Sequence, residues 1–310
     1  MYANYFNFNY LPFDLTPDVR QYTAIKQYSD IFSSLQYCVK AGHGFLKVSG
    51  GIGLGKTLLC RLLLNSLGAD KHVIYLPSPP KTPLGLSKVV ASELGVKTVE
   101  AYDYDGCVRQ IYLKLIELRS MGKSAVVLLD ECQGISPEAL ESLRLIANLD
   151  AHDSRLLQVI IFGSTELDEL LMSPKLAAFR QRIVLDAQLR PLSNAEAKAY
   201  LLGRIFNAGG RDLGIFSHKA LDRLLAHAKG NPRVLNILAN LSLMSACSHR
   251  HQQVLPIDVN RAVQDSRFQV GKLSSLGTLY TDIKEQKIAL LWIVVLVATL
   301  VTLSLVQVGY

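Results

Sequence analysis

Short continuous apolar runs alternate with longer stretches of helical periodicity over the first 190 residues. Runs at 45–48, 72–76, 124–129, 156–162 and 183–185 carry almost no polar interruption and read as strands buried on both faces. Between them, apolar residues recur at helical spacing over 21–41, 58–67, 84–94, 107–121 and 137–148, with shorter pieces at 166–172 and 175–179. Strands alternating with helices predict a parallel five-stranded sheet covered on both faces, an α/β fold. After Arg190-Pro191-Leu192 the pattern is helical only, at 195–206, 218–228, 233–246 and 256–263. Ser193 is placed to cap the first of these, and Asn231-Pro232 opens the third. Together they predict a small helical bundle over 191–268. The first 20 residues are aromatic and punctuated by proline, and read as an irregular strap over the core or beside a bound base.

The loop after the first strand carries the sharpest chemical signal. Gly50-Gly51-Ile52-Gly53-Leu54-Gly55-Lys56-Thr57 lies between a strand and the helix that begins near Leu58. That order is the phosphate-binding P-loop. Glycines let backbone N–H groups approach phosphate oxygens with no Cβ in the way, and the helix N-terminus adds partial positive charge. Residues 50–58 are therefore the candidate nucleotide-binding set. Lys56 would reach the β- and γ-phosphates, and the Thr57 hydroxyl would ligate Mg²⁺. ATP and Mg²⁺ are the expected ligands.

Two strand ends extend this site. The run 124–129 ends in Asp130-Glu131, an acidic pair at the carboxyl end of a buried parallel strand. Asp130 would hold the metal shell, and Glu131 would orient and deprotonate water; the plainer reading of Glu131 is a solvated carboxylate. The strand 156–162 ends in Gly163-Ser164-Thr165. Ser164 would touch the γ-phosphate or the lytic water, or would merely cap the strand end.

Composition adds a location. The 310-residue chain has a net charge of +7, with its basic residues dispersed, so a nucleic-acid-binding tail is not indicated. The five cysteines form no Cys-x-x-Cys pair and read as buried thiols. Residues 288–306 contain no charge and match a bilayer's hydrocarbon core of about 30 Å at a rise of about 1.5 Å per residue. Lys284 and Lys287 precede that span and no positive side chain follows it, which predicts a tail anchor with the larger part in the cytoplasm. The expected organisation is a nucleotide-binding domain over 1–190, the bundle over 191–268, a linker over 269–287 and a transmembrane anchor over 288–307.

A P-loop, an Asp-Glu strand end and a following helical bundle resemble the AAA+ ATPases. The opening Tyr5-Phe6-Asn7-Phe8 and Leu11-Pro12-Phe13-Asp14-Leu15-Thr16-Pro17-Asp18 narrows the resemblance to the ExeA/GspA-like secretion ATPases. So do Leu128-Leu129-Asp130-Glu131-Cys132-Gln133, residues 143–149 and Gly230-Asn231-Pro232-Arg233. Residues 44–48 and the continuation 58–67 are most similar to the branch that serves MSHA-type (type IV) pilus biogenesis. The resemblance implies ATP hydrolysis at a bacterial inner membrane, homo-oligomers, and partners among pilus or type II secretion assembly proteins, with nucleic acid not expected. It implies that Arg233 is the sensor 2 residue, and that Arg180 or Arg182 is an arginine finger toward a neighbouring subunit; a surface ion pair is the plain alternative for either. The family's Gly-Gln-Pro-Glu-Leu stands here as Gly163-Ser164-Thr165-Glu166-Leu167, so the usual sensor 1 glutamine is replaced. Two other readings stay open: a DNA-associated AAA+ regulator, and a nucleotide-gated scaffold with little turnover.

Overall fold

The computed structural model describes residues 2–266, except 17–18, 98–99, 101, 149, 152–153 and 212–213. The expected linker and transmembrane anchor, and the last residues assigned to the bundle, lie outside the described residues. Among the described residues no helix is long and apolar enough to cross a membrane.

Five parallel strands form the central sheet: β1 (Phe45–Gly50), β2 (Lys71–Leu76), β3 (Ser124–Leu129), β6 (Leu157–Gly163) and β7 (Ile183–Leu189). Their spatial order is β2-β3-β6-β1-β7. Between β3 and β6 the chain makes a small antiparallel pair, β4 (Asp150–Ala151) with β5 (Ser154–Arg155), which the hydrophobic pattern does not announce. The helices of this part are α1 (Tyr2–Tyr5), α2 (Lys26–Lys40), α3 (Lys56–Ser66), α4 (Pro83–Glu93), α5 (Tyr104–Ser120), α6 (Pro137–Ala147), α7 (Thr165–Leu171) and α8 (Ala177–Arg180). The bundle is α9 (Asn194–Asn207), α10 (His218–Ala228), α11 (Pro232–Ser248) and α12 (Pro256–Asp265).

Side chains alternate across the sheet and divide the core in two. Leu46, Val48, Val126, Leu128, Ile160 and Phe162 pack toward α2, α3 and the bundle. Phe45, Val127, Leu129, Val159 and Ile161 pack toward α4, α5, α6 and α7. Strands covered on both sides explain the unbroken apolar runs. Cys38, Cys60, Cys107 and Cys132 are buried among these residues as free thiols.

Several boundaries differ from the sequence expectation. Strand β7 runs to Leu189 rather than ending at 185. Among the described residues it is an edge strand paired to β1, with Val184, Asp186 and Gln188 exposed, so an acid and an amide break the apolar run. Asp186 accepts from buried Lys47 of β1 at 2.7 Å, and Asp168 of α7 accepts from the same ammonium at 2.5 Å. Helix α5 begins at Tyr104, three residues earlier than expected, because the Asp103 carboxylate caps it by accepting from Gly106 N at 2.8 Å. Ser193 caps α9 as expected, in a capping box completed by Glu196. Arg190 joins that box, its guanidinium bonded to both Glu196 oxygens at 2.8 Å. This pairing and the Ser193 N–H hold the Glu196 carboxyl down to about 2.

The first residues form one helical turn and then a strap on the bundle. Phe8 and Phe13 are buried in the cluster that includes Leu201, Ile205 and Phe216. Buried Arg204 of α9 fixes the strap by donating to Pro12 O at 2.6 Å and Asp14 O at 3.0 Å.

Leu128 sits fully buried at the centre of β3. Leu128→Ala is expected to lower unfolding free energy by about 2–5 kcal/mol, read from the midpoint of chemical denaturation. A loss below about 1 kcal/mol would contradict its place in the core.

Candidate functional site

The order β2-β3-β6-β1-β7 is a topology with a switch point. The helix after β1, α3, packs on one face of the sheet, and the helix after β3, α6, packs on the other. A crevice opens at the carboxyl ends of the strands where the connections diverge, and ligands of open α/β sheets bind there. The loop after β1, the acids after β3 and Ser164 after β6 all emerge at that edge.

The loop's carbonyls are held by its own lysine and by residues from elsewhere in the chain. Lys56 Nζ donates to Gly50 O at 2.8 Å and to Gly51 O at 3.0 Å. Asn231 Nδ2 donates to Ile52 O at 2.9 Å, and Arg233 N donates to Gly53 O at 3.3 Å. The buried Tyr28 hydroxyl donates to Leu54 O at 3.0 Å. Each carbonyl from 50 to 54 is thus engaged, which leaves the loop N–H groups and the positive end of α3 to an anion. Gly53 has φ +82°, and a Cβ there would stand 2.7 Å from Asn231 Oδ1 and 2.9 Å from Arg233 Cβ. Glycine is required at 53 because the start of α11 rests against the loop.

A cavity of about 590 Å³ opens over the loop. Ile52, Gly53, Gly55, Lys56, Thr57 and Leu58 line its floor. Glu131, Gln133, Ser164 and Glu166 line the side at the strand ends. Pro232, Arg233, Asn236, Tyr200 and Arg204 come from the bundle, and Asp14, Leu15 and Thr16 from the strap. Asp130 is buried behind this lining, 2% exposed, and hydrogen-bonded to Thr57 and to Glu131 N. The structure therefore brings together Lys56, Thr57, Asp130, Glu131, Ser164 and Arg233. Neither Arg180 nor Arg182 lines the cavity. Arg180 donates to Leu171 O at the end of α7, and Arg182 is exposed.

The charges at the site are mutually dependent. Burial pushes the Lys56 ammonium below the ordinary lysine range, against the pull of Glu131, Asp130 and Glu166. Burial pushes the Asp130 carboxyl up, while the bonds from Thr57 and Glu131 N draw it back. A hydroxyl bonded to a carboxylate is an oxygen donor pair suited to a hard cation, so Thr57 and Asp130 fit Mg²⁺. Glu131 holds φ +54°, ψ +41°, a left-handed conformation that costs a non-glycine residue about 1 kcal/mol or more. Ser164 is buried; its hydroxyl donates to the Glu166 carboxylate, so it makes no side-chain cap on α7.

Sequence reasoning gave no role to Tyr28, Gln133, Asn236, Tyr200 or Arg204. Tyr28 and Asn236 lie on helices whose periodicity marks them only as inward-facing. Gln133 and Asn231 stand inside quoted motifs, where adjacency to Glu131 and Arg233 was the available signal.

Comparison with known proteins agrees with this geometry. The AAA domain family matches residues 39–171. General secretion pathway protein A of Aeromonas hydrophila is 30% identical over 282 residues, which cover 90% of this chain and 50% of that protein. The chain thus spans about half the length of this curated relative. Among solved structures, Cdc6p from Pyrobaculum aerophilum superposes with a TM-score of 0.62 at 16% identity, covering 82% of this chain and 70% of that one. The Aeropyrum pernix ORC2 protein gives 0.61 at 15% identity with the same coverage, and the Walker-type ATPase PABY2304 of Pyrococcus abyssi gives 0.56 at 17%, covering 86% and 79%. These structures share the fold. Residues 39–171, which hold the P-loop and the Asp130-Glu131 strand end, thus match an AAA domain. Over most of its length the chain is similar to an ExeA/GspA-like protein.

Asn231 does two jobs: Oδ1 accepts from Arg233 N and Val234 N to cap α11, and Nδ2 ties Ile52 O. Asn231→Ala is expected to cost about 1 kcal/mol of stability. It should also weaken nucleotide binding severalfold, measured by titration with a fluorescent ATP analogue. Unchanged affinity would mean that the tie to Ile52 does not shape the loop.

Proposed function

We propose that this protein is a membrane-anchored ATPase that couples ATP binding and hydrolysis to assembly of a type II secretion or MSHA-like type IV pilus machine. The observation that carries the hydrolytic part is the convergence of Lys56, Thr57, Glu131 and Arg233 on one cavity. Lys56 and the loop N–H groups would bind the β- and γ-phosphates, with Thr57 and Asp130 the residues that would hold Mg²⁺. The metal would neutralise charge developing on the transferring phosphoryl group. Glu131 would take the proton of the attacking water. Arg233, carried by the bundle onto the loop, would stabilise the γ-phosphate, and Ser164 would serve in the sensor 1 role. The active unit would be a homo-oligomer in which Arg180 or Arg182 serves a neighbour's site. Both arginines are on the surface and outside their own cavity, as a finger acting in trans requires.

The secretion reading rests on likeness to general secretion pathway protein A, and the MSHA-pilus branch on residues 44–48 and 58–67. Placement at the bacterial inner membrane, with the ATPase part cytoplasmic, rests on the charge-free stretch 288–306 after Lys284 and Lys287.

Lys56→Ala is expected to abolish binding of Mg²⁺-ATP. Glu131→Gln is expected to bind ATP normally while turnover falls by on the order of a hundredfold or more. Wild-type turnover in Glu131→Gln would remove the assigned base. A wild-type protein that binds ATP yet shows no steady-state hydrolysis in reconstituted membranes would favour the nucleotide-gated scaffold.

A DNA-associated role is the competing reading. The Drosophila ORC bound to DNA superposes with a TM-score of 0.54 at 16% identity, a likeness of fold. Fluorescence anisotropy with duplex DNA is expected to show no binding at physiological salt. Affinity in the micromolar range that falls steeply with salt would support that role instead.

A further inference from the structure

Gln133 lies in the short 3-10 turn Cys132–Gly134 that follows the acidic pair. Both ends of its amide are used. Nε2 donates to Glu131 Oε2 at 2.6 Å, and Oε1 accepts from Ser164 N at 3.2 Å. The partners fix the amide's orientation. A carboxylate can only accept and a backbone N–H can only donate, so a reversed amide would lose both bonds. The link continues from Ser164, whose hydroxyl donates to Glu166. All four side chains line the cavity above the P-loop.

Glu131 needs such a partner. Its residue has left both the strand ladder and helical geometry, with φ +54°, and its side chain is exposed. No core packing fixes this exposed carboxylate, and the bond from Gln133 restrains it. The far end of the same amide is bonded to the first residue after β6, the strand between β1 and β3. The ends of β3 and β6 are thus joined through one glutamine.

We propose that Gln133 is a positioning residue that sets the Glu131 carboxylate for attack and couples it to Ser164 at the end of β6. The proposal rests on Glu131 serving as the base for ATP hydrolysis. With Oε2 held by Gln133, Oε1 is the oxygen left to accept a proton. As the water oxygen bonds to the γ-phosphorus, one water proton moves to Oε1. The bond from the γ-phosphorus to the β–γ bridging oxygen breaks, its electron pair leaving with ADP. Phosphate and ADP are the products, and the proton on Glu131 returns to solvent. A displacement of Ser164 by a phosphate oxygen would be passed through the amide to that carboxylate.

The test compares full-length wild type, Gln133→Ala and Gln133→Glu in Mg²⁺-ATP turnover, with ADP affinity and thermal unfolding measured alongside. Positional errors of about 1 Å at a reacting group cost on the order of a hundredfold in rate. Both variants are expected to lose kcat by roughly tenfold to a hundredfold, with KM and ADP affinity within about twofold of wild type. Gln133→Glu keeps the side-chain volume and replaces the donor facing Glu131 with a second carboxylate, so it separates hydrogen bonding from packing. If Gln133→Ala does not fold, Gln133→Glu carries the test. Wild-type kcat in either folded variant would overturn the proposal, as would a loss expressed only in KM. Glu131→Gln is run in parallel. If it is inactive while Gln133→Ala turns over normally, only the role of Gln133 falls; if Glu131→Gln is fully active, the base assignment falls and takes the role of Gln133 with it.

Discussion

The structure depends on how the carbonyls of residues 50–54 are disposed of. A loop that presents N–H groups to an anion must turn its C=O groups the other way, and each needs a donor if it is not to be left unpaired. Here the donors come from three places: Lys56 in the loop's own helix, Tyr28 in the preceding helix, and Asn231 with Arg233 at the start of α11. The last pair binds the bundle to the loop by its backbone. Each such bond contributes about 1 kcal/mol net, so the arrangement is specific without being rigid. The residue expected to sense the γ-phosphate therefore belongs to the helix that the loop itself holds in place.

Sheet order supplies the second constraint. Strand β6 lies between β1 and β3, so the P-loop and the acidic pair stand on either side of Ser164. Helices α3 and α6 leave on opposite faces, and the edge between them stays open. The two acids differ in burial for this reason. Asp130 ends the ladder while still bonded to Leu76 O, deep enough for desolvation to raise its carboxyl; Glu131 turns out of the ladder into a left-handed conformation. In the proposed mechanism the first would hold a cation and the second would reach the attacking water.

Much of the fold was legible in the sequence because the strands are covered on both faces. Apolar runs at 45–48 and 124–129 have no other reading once helices separate them. The phosphate cradle was equally legible, since its chemistry dictates its residue types. Legibility failed where a polar residue serves structure. The outer face of β7 hides its length, because an edge strand keeps Asp186 and Gln188 on one side. The helices gave their inward faces but not their targets: periodicity cannot tell that Tyr28 reaches Leu54 O rather than packing in the core. The bonds of Gln133 were hidden for a related reason. Its role depends on Ser164, 31 residues further on, and no local pattern records that meeting.

The strap shows the same limit over a longer distance. Arg204 is 5% exposed on α9, and a buried guanidinium is tolerated only when its donors are taken up. Among the described residues its partners are the carbonyls of Pro12 and Asp14 and the Tyr200 hydroxyl. Asn9 N bonds to Ala208 O and the Tyr10 hydroxyl to Asn207 O, at the end of the same helix. The wall that Asp14, Leu15 and Thr16 give the cavity is therefore tied to the bundle, although in sequence the strap precedes β1. Movement of the bundle relative to the sheet would carry both Arg233 and this wall together. One face of the cavity is thus built by the sheet's strand ends and loop, and the other by two segments about 190 residues apart that Arg204 and the bonds from Asn9 and Tyr10 tie together.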